Sequence, residues 1–421
     1  MSITPSPGFL VSTPRGSSPY PSLAEMLAAA GGEVIREEPV AVSDGSNTPP
    51  VGSFSTLSQF HSIASICVDK VPGWRSLVGD TPLAEVVEMT QLMEGLSNQL
   101  FKVTVKASTG LSVPYSTVLF RIYGEHVSSF YDPEHELRVF TMLSAMQIGP
   151  KMIANGESWR IEEFHESVRV LVTSLPNPSI FCQVASQFAR FHKIHKLPHF
   201  PHHQFDAATP VTLARLDRWT AEGLAALERL PHPEALKERL RIDSILPEVA
   251  RLKALVVAKG AEPESVGFDI VFSHNDGQEN NILLTAYGLR LIDFEYADFN
   301  FQVADIGNFF NEFTMDYLHP VAPFFTGRPE NYPSDSTRRM FSSVYLSEYL
   351  GRPVMESTDA KLITDLLEAA ELGAQVSHML WGMWSLVRAQ QHAETFNSFD
   401  FVAYAKFRFD EYLRRKEELA L

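Results

Sequence analysis

His274-Asn275-Asp276-Gly277-Gln278-Glu279-Asn280-Asn281-Ile282-Leu283-Leu284, followed by Leu291-Ile292-Asp293-Phe294-Glu295, decides how this chain is read. A strand-like run, Val271 to Ser273, feeds a polar loop that offers a carboxylate and, five residues on, an amide. Asp293 follows at the end of a second apolar run. That order fits a site that activates a hydroxyl and holds magnesium on the phosphates of a nucleotide. Phosphoryl transfer of the kinase type needs an Asp near the acceptor oxygen, an Asn on metal, and an Asp bridging metal and phosphates.

Bulk composition is compatible with that reading. The chain has 421 residues, 45% apolar and 20% charged, enough for two lobes with a substantial core. Lys and Arg total 35 against 51 Asp and Glu, a formal charge of -16. Non-specific binding to nucleic acid is disfavoured, because phosphate binding wants a basic surface. An acidic surface suits a cationic substrate, although solubility alone also accounts for it. No run of eighteen apolar residues is present, so no stable membrane insertion is expected. The start lacks a basic flank feeding an apolar core, and the only cysteines, Cys67 and Cys182, make no disulfide framework. A reducing, cytoplasmic setting is expected. Fourteen histidines form no zinc-spaced pattern.

Along the chain, residues 1–55 are rich in Ser, Pro and Gly and read as a disordered extension. Residues 56–165 read as a first lobe with preceding helices, one of them over Leu83 to Met89. A small-residue turn at Gly95-Leu96-Ser97-Asn98 enters a strand, and Thr117 to Gly124 is a second strand ended by glycine. Asp132-Pro133 opens a helix to about Met146, with Asp as cap and Pro in the first turn. Arg160 to Phe164 reads as a strand leaving the lobe. Residues 166–421 are mainly helical, and Val321 to Ser336, rich in Pro, Gly and Ser, reads as an exposed insertion.

Asp276 is the catalytic base or hydroxyl-orienting carboxylate of this reading. A base must reach the acceptor oxygen, so it belongs on a fixed loop beside the metal. Asn281 and Asp293 supply hard oxygen ligands of the kind magnesium accepts. His274 braces the loop through a carbonyl or Asp293. Asp276 taken alone could equally cap a turn.

These motifs resemble those of the choline/ethanolamine kinase family, a relative of protein kinases and aminoglycoside phosphotransferases. The likeness covers residues 90–415 and is carried by HNDGQENNILL, IDFEYADFN, ADIGNFFNEF and SHMLWGMWSLVRAQ. It implies a bilobal, protein-kinase-like α+β fold with a small β-rich N-lobe and a large, mainly helical C-lobe. It also implies ATP as co-substrate, Mg2+, and choline or ethanolamine as acceptor, and it leaves room for a homodimer. Asn280 stands where the family usually has glycine, and Gly277 where a bulkier residue is common.

Further roles follow from the resemblance. Arg121, with Glu136 holding it from the next helix, stands where protein kinases place a lysine and its acidic partner. Ser97 and Asn98 resemble the phosphate-facing loop. Glu162 and Phe164 lie in the connector that meets adenine. Trp381 and Trp384, three residues apart on a helix, share a face; periodicity alone fits a core stripe as well as a wall for a quaternary ammonium. The resemblance maps them, with Tyr296, Tyr317 and Tyr404, onto the acceptor pocket, adds Glu312 as the acid complementing the acceptor's charge, and gives Asp305 a supporting role. Gln278 and Asp316-Tyr317 look more like choline kinases, while Asn311-Glu312-Phe313 also resembles ethanolamine kinases.

Overall fold

The computed structural model describes residues 57–92, 98–106, 112–123, 132–392 and 399–419. The proposed extension 1–55 and the turn residues Gly95 and Ser97 lie outside them.

The first lobe opens with α1 (Leu57–Lys70), α2 (Trp74–Val78) and α3 (Leu83–Val86), then enters strands β1 (Val87–Leu92), β2 (Asn98–Val105) and β3 (Thr117–Tyr123). The helix expected over Leu83 to Met89 therefore stops at Val86. Beyond it the backbone pairs antiparallel with β2, Val87 opposite Val105, so the segment's backbone groups are satisfied by a ladder instead of a helix. Helix α4 (Pro133–Ala145) starts where Asp132 accepts the Glu134 N–H at 2.9 Å. Strands β4 (Met152–Asn155) and β5 (Trp159–Glu163) complete a five-stranded antiparallel sheet of order β1-β2-β3-β5-β4.

Side chains alternate across this sheet with the strand period of two. Phe101, Val103, Val118, Phe120 and Ile161 face a core shared with Ile63, Cys67 and Trp74 of the preceding helices. Arg121 sits on the opposite face of β3 and is buried all the same. Helix α4 does not join that core. Its Val139, Phe140, Met142 and Leu143 belong to the larger core of the second lobe.

That lobe begins with β6 (Ser167–Arg169), α5 (Pro178–Phe191), α6 (Val211–Leu227), α7 (Pro233–Arg239) and α8 (Ile242–Ala261). Short strands frame the two Asp motifs: β7 (Ile270–Ser273), β8 (Ile282–Thr285), β9 (Gly288–Leu291) and β10 (Asp298–Phe301). β7 pairs with β10, and β8 is flanked by β6 and β9. Helix α9 (Gln302–Glu312) follows, then the two-residue strands β11 (Met315–Asp316) and β12 (Thr326–Gly327), α10 (Asp335–Leu350), α11 (Glu356–Gln391) and α12 (Phe401–Leu419).

Helix α11 is buried on nearly all sides from Ala369 to Ala389, as a central helix must be when others pack around it. It crosses α9 so closely that a Cβ on Gly307 would lie 2.2 Å from the Ala374 backbone nitrogen. The expected exposed insertion at 321–336 is only partly that. Val321 is exposed, but Phe325 and Pro333 are buried, β12 pairs with β11, and Ser334 caps α10. Phe325 packs against Tyr404, which gives the segment apolar burial that its Pro and Gly content does not reveal.

Candidate active site

The two Asp motifs meet at one end of the β7–β10 pair. Asn275 takes a left-handed backbone conformation, φ 65°, a conformation asparagine tolerates better than most residues. Its side-chain amide donates to the Tyr296 carbonyl at 3.0 Å and the Asp298 carbonyl at 3.2 Å, and its Oδ1 accepts from Asn300 at 2.7 Å. The turn that carries Asp276 is thus sewn to the segment after Asp293.

Asp305 holds the same turn from below. Its carboxylate accepts the backbone N–H of His274 at 2.7 Å and of Asn275 at 2.6 Å, and pairs with His192 Nε2 at 2.9 Å. Burial pushes this carboxyl up, but the His192 hydrogen bond and charge, with the His274 contacts, hold it below the ordinary range. His274 Nε2 lies 2.9 Å from the Ile292 carbonyl, so this ring braces the residue just before Asp293.

Asp276 is half-buried. Burial, then the Glu312 charge, pushes its carboxyl up to about 7, with Asp293 adding to the rise and hydrogen bonds from Gln278 and Asn281 opposing it. Asn281 Nδ2 donates to the Asp276 carbonyl and to Oδ2, each at 2.9 Å. Since Nδ2 is committed there, Oδ1 is the Asn281 atom left for a cation. Asp293 also has positive φ, 61°, and its buried Oδ1 has no hydrogen-bond partner among the described residues. Asp293 Oδ1 and the Asn281 amide oxygen are hard oxygen atoms of the kind magnesium accepts, and the Ile292 N–H, bonded to the Asn281 carbonyl at 3.0 Å, ties the two segments together.

Glu295 is a residue the sequence reading passed over. Burial, then the charges of Asp293 and Asp276, push its carboxyl well above the ordinary range. The Arg121 guanidinium, which also faces Asp293 Oδ1, opposes that rise. The signal was available, since Glu295 stands two residues after Asp293 in the quoted stretch.

The nucleotide side differs from expectation in its pairing. Glu136 does not hold Arg121; it pairs with Arg160 Nη1. Glu162 Oε1 instead accepts both Arg121 Nε at 2.9 Å and Arg160 Nε at 2.6 Å. The reason is register: Arg121 and Arg160 are directly opposite across β3 and β5, so one carboxylate serves two like charges and Glu136 completes a buried quartet. Arg121 keeps Nη1 turned toward Asp293 Oδ1, 3.9 Å away. The Glu162 side chain is therefore committed to these two arginines. Phe164 lies under Lys102 Nζ, 4.6 Å from the ring centroid, and Asn98 opens β2 opposite Tyr123.

The aromatic residues that the resemblance assigned to the acceptor converge in two groups. Trp381 and Trp384 stand nearly perpendicular, centroids 5.3 Å apart, and Tyr296 meets Trp381 at 5.4 Å. Trp381 donates to Asn308 Oδ1 at 2.9 Å and Trp384 to Tyr296 Oη at 3.1 Å. Trp381 is core, while Trp384 is half-buried, with the Arg388 guanidinium 5.6 Å from its ring centroid.

The second group is Glu312, Tyr317 and Tyr404, joined by Arg408. Glu312 Oε1 accepts from Arg408 Nη2 at 2.7 Å and Oε2 from Tyr317 at 2.8 Å; Arg408 also reaches the Tyr404 hydroxyl. Arg408 is fully buried and was missed, because an arginine among Asp410, Glu411 and Arg414 reads as a solvent-facing helix residue.

A sequence profile of choline/ethanolamine kinase matches residues 89–413. The chain belongs to the choline/ethanolamine kinase family. A human relative, choline/ethanolamine kinase, is 31% identical over 334 residues, 77% of this chain and 79% of that one. The crystal structure of a choline kinase from Cryptosporidium parvum superposes with a TM-score of 0.74 at 34% identity, covering 86% of this chain and 96% of that chain. A Plasmodium vivax ethanolamine kinase has the same fold, with a TM-score of 0.65 at 19% identity over 88% and 95% of the two chains. The bilobal α+β architecture is thus that of the family's phosphotransferases. Among the described residues, no helix is long and apolar enough to cross a membrane.

Proposed function

We propose that this protein transfers the γ-phosphoryl group of ATP to the hydroxyl of choline, giving phosphocholine and ADP. The observation that carries the reading is the surroundings of Asp276: Asn281 bonded to it on one side, Asp293 near enough to raise its carboxyl, and the Tyr296 segment tied to its turn through Asn275. One loop thus addresses a metal-bound phosphate and an acceptor hydroxyl together.

Asn281 and Asp293 would hold Mg2+, with Glu295 beside them; the ion would neutralise the phosphates and orient them. Arg121, fixed by Glu162, presents a guanidinium that stays charged toward the same phosphates. Asp276 accepts the hydroxyl proton as the acceptor oxygen bonds to the γ-phosphorus and the bond to the ADP oxygen breaks. A carboxyl near 7 is poised for that transfer at neutral pH. Trp384, the half-buried ring of the first aromatic group, would give a quaternary ammonium a contact of about 0.5–2 kcal/mol.

Ethanolamine is the second acceptor, favoured by Asn311-Glu312-Phe313 and by a Drosophila melanogaster ethanolamine kinase 30% identical over 323 residues. Competitive turnover of choline and ethanolamine with ATP and Mg2+ separates the two. A higher kcat/KM for choline is expected, and a clear preference for ethanolamine would reverse the assignment.

A further inference from the structure

Helix α6 (Val211–Leu227) holds no part of the two Asp motifs, yet three of its side chains reach the candidate site. Thr212 Oγ1 accepts the Asn300 side-chain N–H at 2.6 Å, and the same Asn300 nitrogen donates to Asn275 Oδ1 at 2.7 Å. Arg215 Nη2 donates to the Tyr296 carbonyl at 2.8 Å, the carbonyl that also accepts Asn275 Nδ2 at 3.0 Å. Trp219 meets the Tyr296 ring edge-on, centroids 6.0 Å apart. Positions 212, 215 and 219 fall on one face of a helix, so a single rigid element makes all three contacts.

Both ends of the Asn275 amide are therefore anchored to α6, each through one intermediate group. Asn275 holds the left-handed turn immediately before Asp276. Arg215 reaches further than Thr212 does. Its guanidinium carbon lies 5.5 Å from the Tyr296 ring centroid and 5.9 Å from that of Trp219, so the group packs against two rings. Tyr296 is buried, and its hydroxyl accepts the Trp384 indole N–H at 3.1 Å. Arg215 thus fixes Tyr296 by carbonyl and by ring, and Tyr296 in turn orients Trp384.

We propose that Arg215 is a positioning residue that sets the spacing between Asp276, at the acceptor hydroxyl, and Trp384, at the acceptor's cationic end. This rests on the amino-alcohol reading given above. In a two-carbon amino alcohol the two ends are a short distance apart, so both engage productively only if the turn and the indole keep their separation. A displacement of about 1 Å is enough to lower a rate about 10²-fold. Arginine suits this place better than lysine, because its planar fork can bond a carbonyl while lying against a ring.

The test is steady-state kinetics of choline phosphorylation in wild type, Arg215→Met, Arg215→Gln and Arg215→Lys. Methionine removes the donor, glutamine is too short to reach the Tyr296 carbonyl, and lysine keeps a charge and a donor. An unchanged KM for ATP shows that a variant is folded, and either neutral variant suffices. The expected result is a fall of about 10²-fold in kcat for choline in the neutral variants, with Arg215→Lys between them and wild type. Because the indole shifts with Tyr296, preference for choline over its uncharged isostere, 3,3-dimethylbutan-1-ol, should shrink in the same variants. A purely structural role would lower the urea midpoint and leave kcat and that preference alone. Wild-type kcat or an intact preference in a folded neutral variant would overturn the inference and leave the proposed function standing. If neither neutral variant folds, Arg215→Lys decides: reduced kcat with an unchanged KM for ATP supports the inference, and wild-type kcat overturns it. Wild-type protein that phosphorylates neither amine would remove both.

Discussion

Asn281 binds Asp276 twice through a single nitrogen, donating to its carbonyl and to its carboxylate at 2.9 Å each. The amide therefore holds the Asp276 turn, and its oxygen is the atom left over for the Mg2+ proposed above. Asn281→Asp replaces the donor with a third acid beside Asp276 and Asp293. We expect kcat to fall by about 10²-fold or more, the loss typical of a misplaced transition-state contact. Steady-state kinetics at saturating Mg2+ check this, and near-normal turnover would remove Asn281 from the site.

Asp276 makes the ligand-free protein sensitive to alkali. Its carboxyl titrates near 7 when folded and near 3.8 otherwise, so the unfolded chain gives up this proton first. The contribution of Asp276 to stability is complete below about 4 and declines as pH rises toward 7. Asp276→Asn should thus unfold at higher urea than wild type at pH 8, by about 1–3 kcal/mol after allowing for partial hydration, and match it near pH 4. The same variant should have lost phosphoryl transfer. Equal urea midpoints at both pH values would show that the carboxyl is not perturbed.

The Arg121–Glu162–Arg160–Glu136 quartet makes a separable prediction. Arg160→Met leaves Glu136 buried without its partner and should cost about 3–5 kcal/mol in urea unfolding. Arg121→Met leaves Glu162 still paired with Arg160, so its main effect should be a raised KM for ATP. A larger stability loss from Arg121→Met than from Arg160→Met would invert this assignment.

Gly307 lies where α9 and α11 touch. Gly307→Ala would force a methyl group against the Ala374 backbone, which cannot swing aside as a side chain does. The expected destabilisation is about 2–4 kcal/mol, at or above the usual cost of overpacking. Thermal melts check it; an unchanged Tm would mean the helices can separate freely.

The layout of the candidate site was legible where it is local. Asp276, Asn281 and Asp293 lie within eighteen positions, and a strand-loop-strand path fixes their meeting. Arg160 and Arg408 were not legible, because what makes each important is a partner brought by the fold: Glu136 by helix α4, and Glu312 from 96 positions away. An isolated arginine looks the same in sequence whether it faces water or a buried carboxylate. Phe325 was hidden for a related reason, since the surrounding Pro and Gly signal turns but say nothing about what packs beneath them. At Val87 local helical preference lost to pairing with β2.

Helix α4 packs its apolar side into the larger lobe, while its Glu136 grips Arg160 in the sheet of the smaller one. Were the lobes to hinge apart for a nucleotide to enter, that ion pair would be stretched or released, and it would re-form as they close. The pair would then work as a latch: its strength would set how often the cleft stands open and how quickly spent ADP escapes.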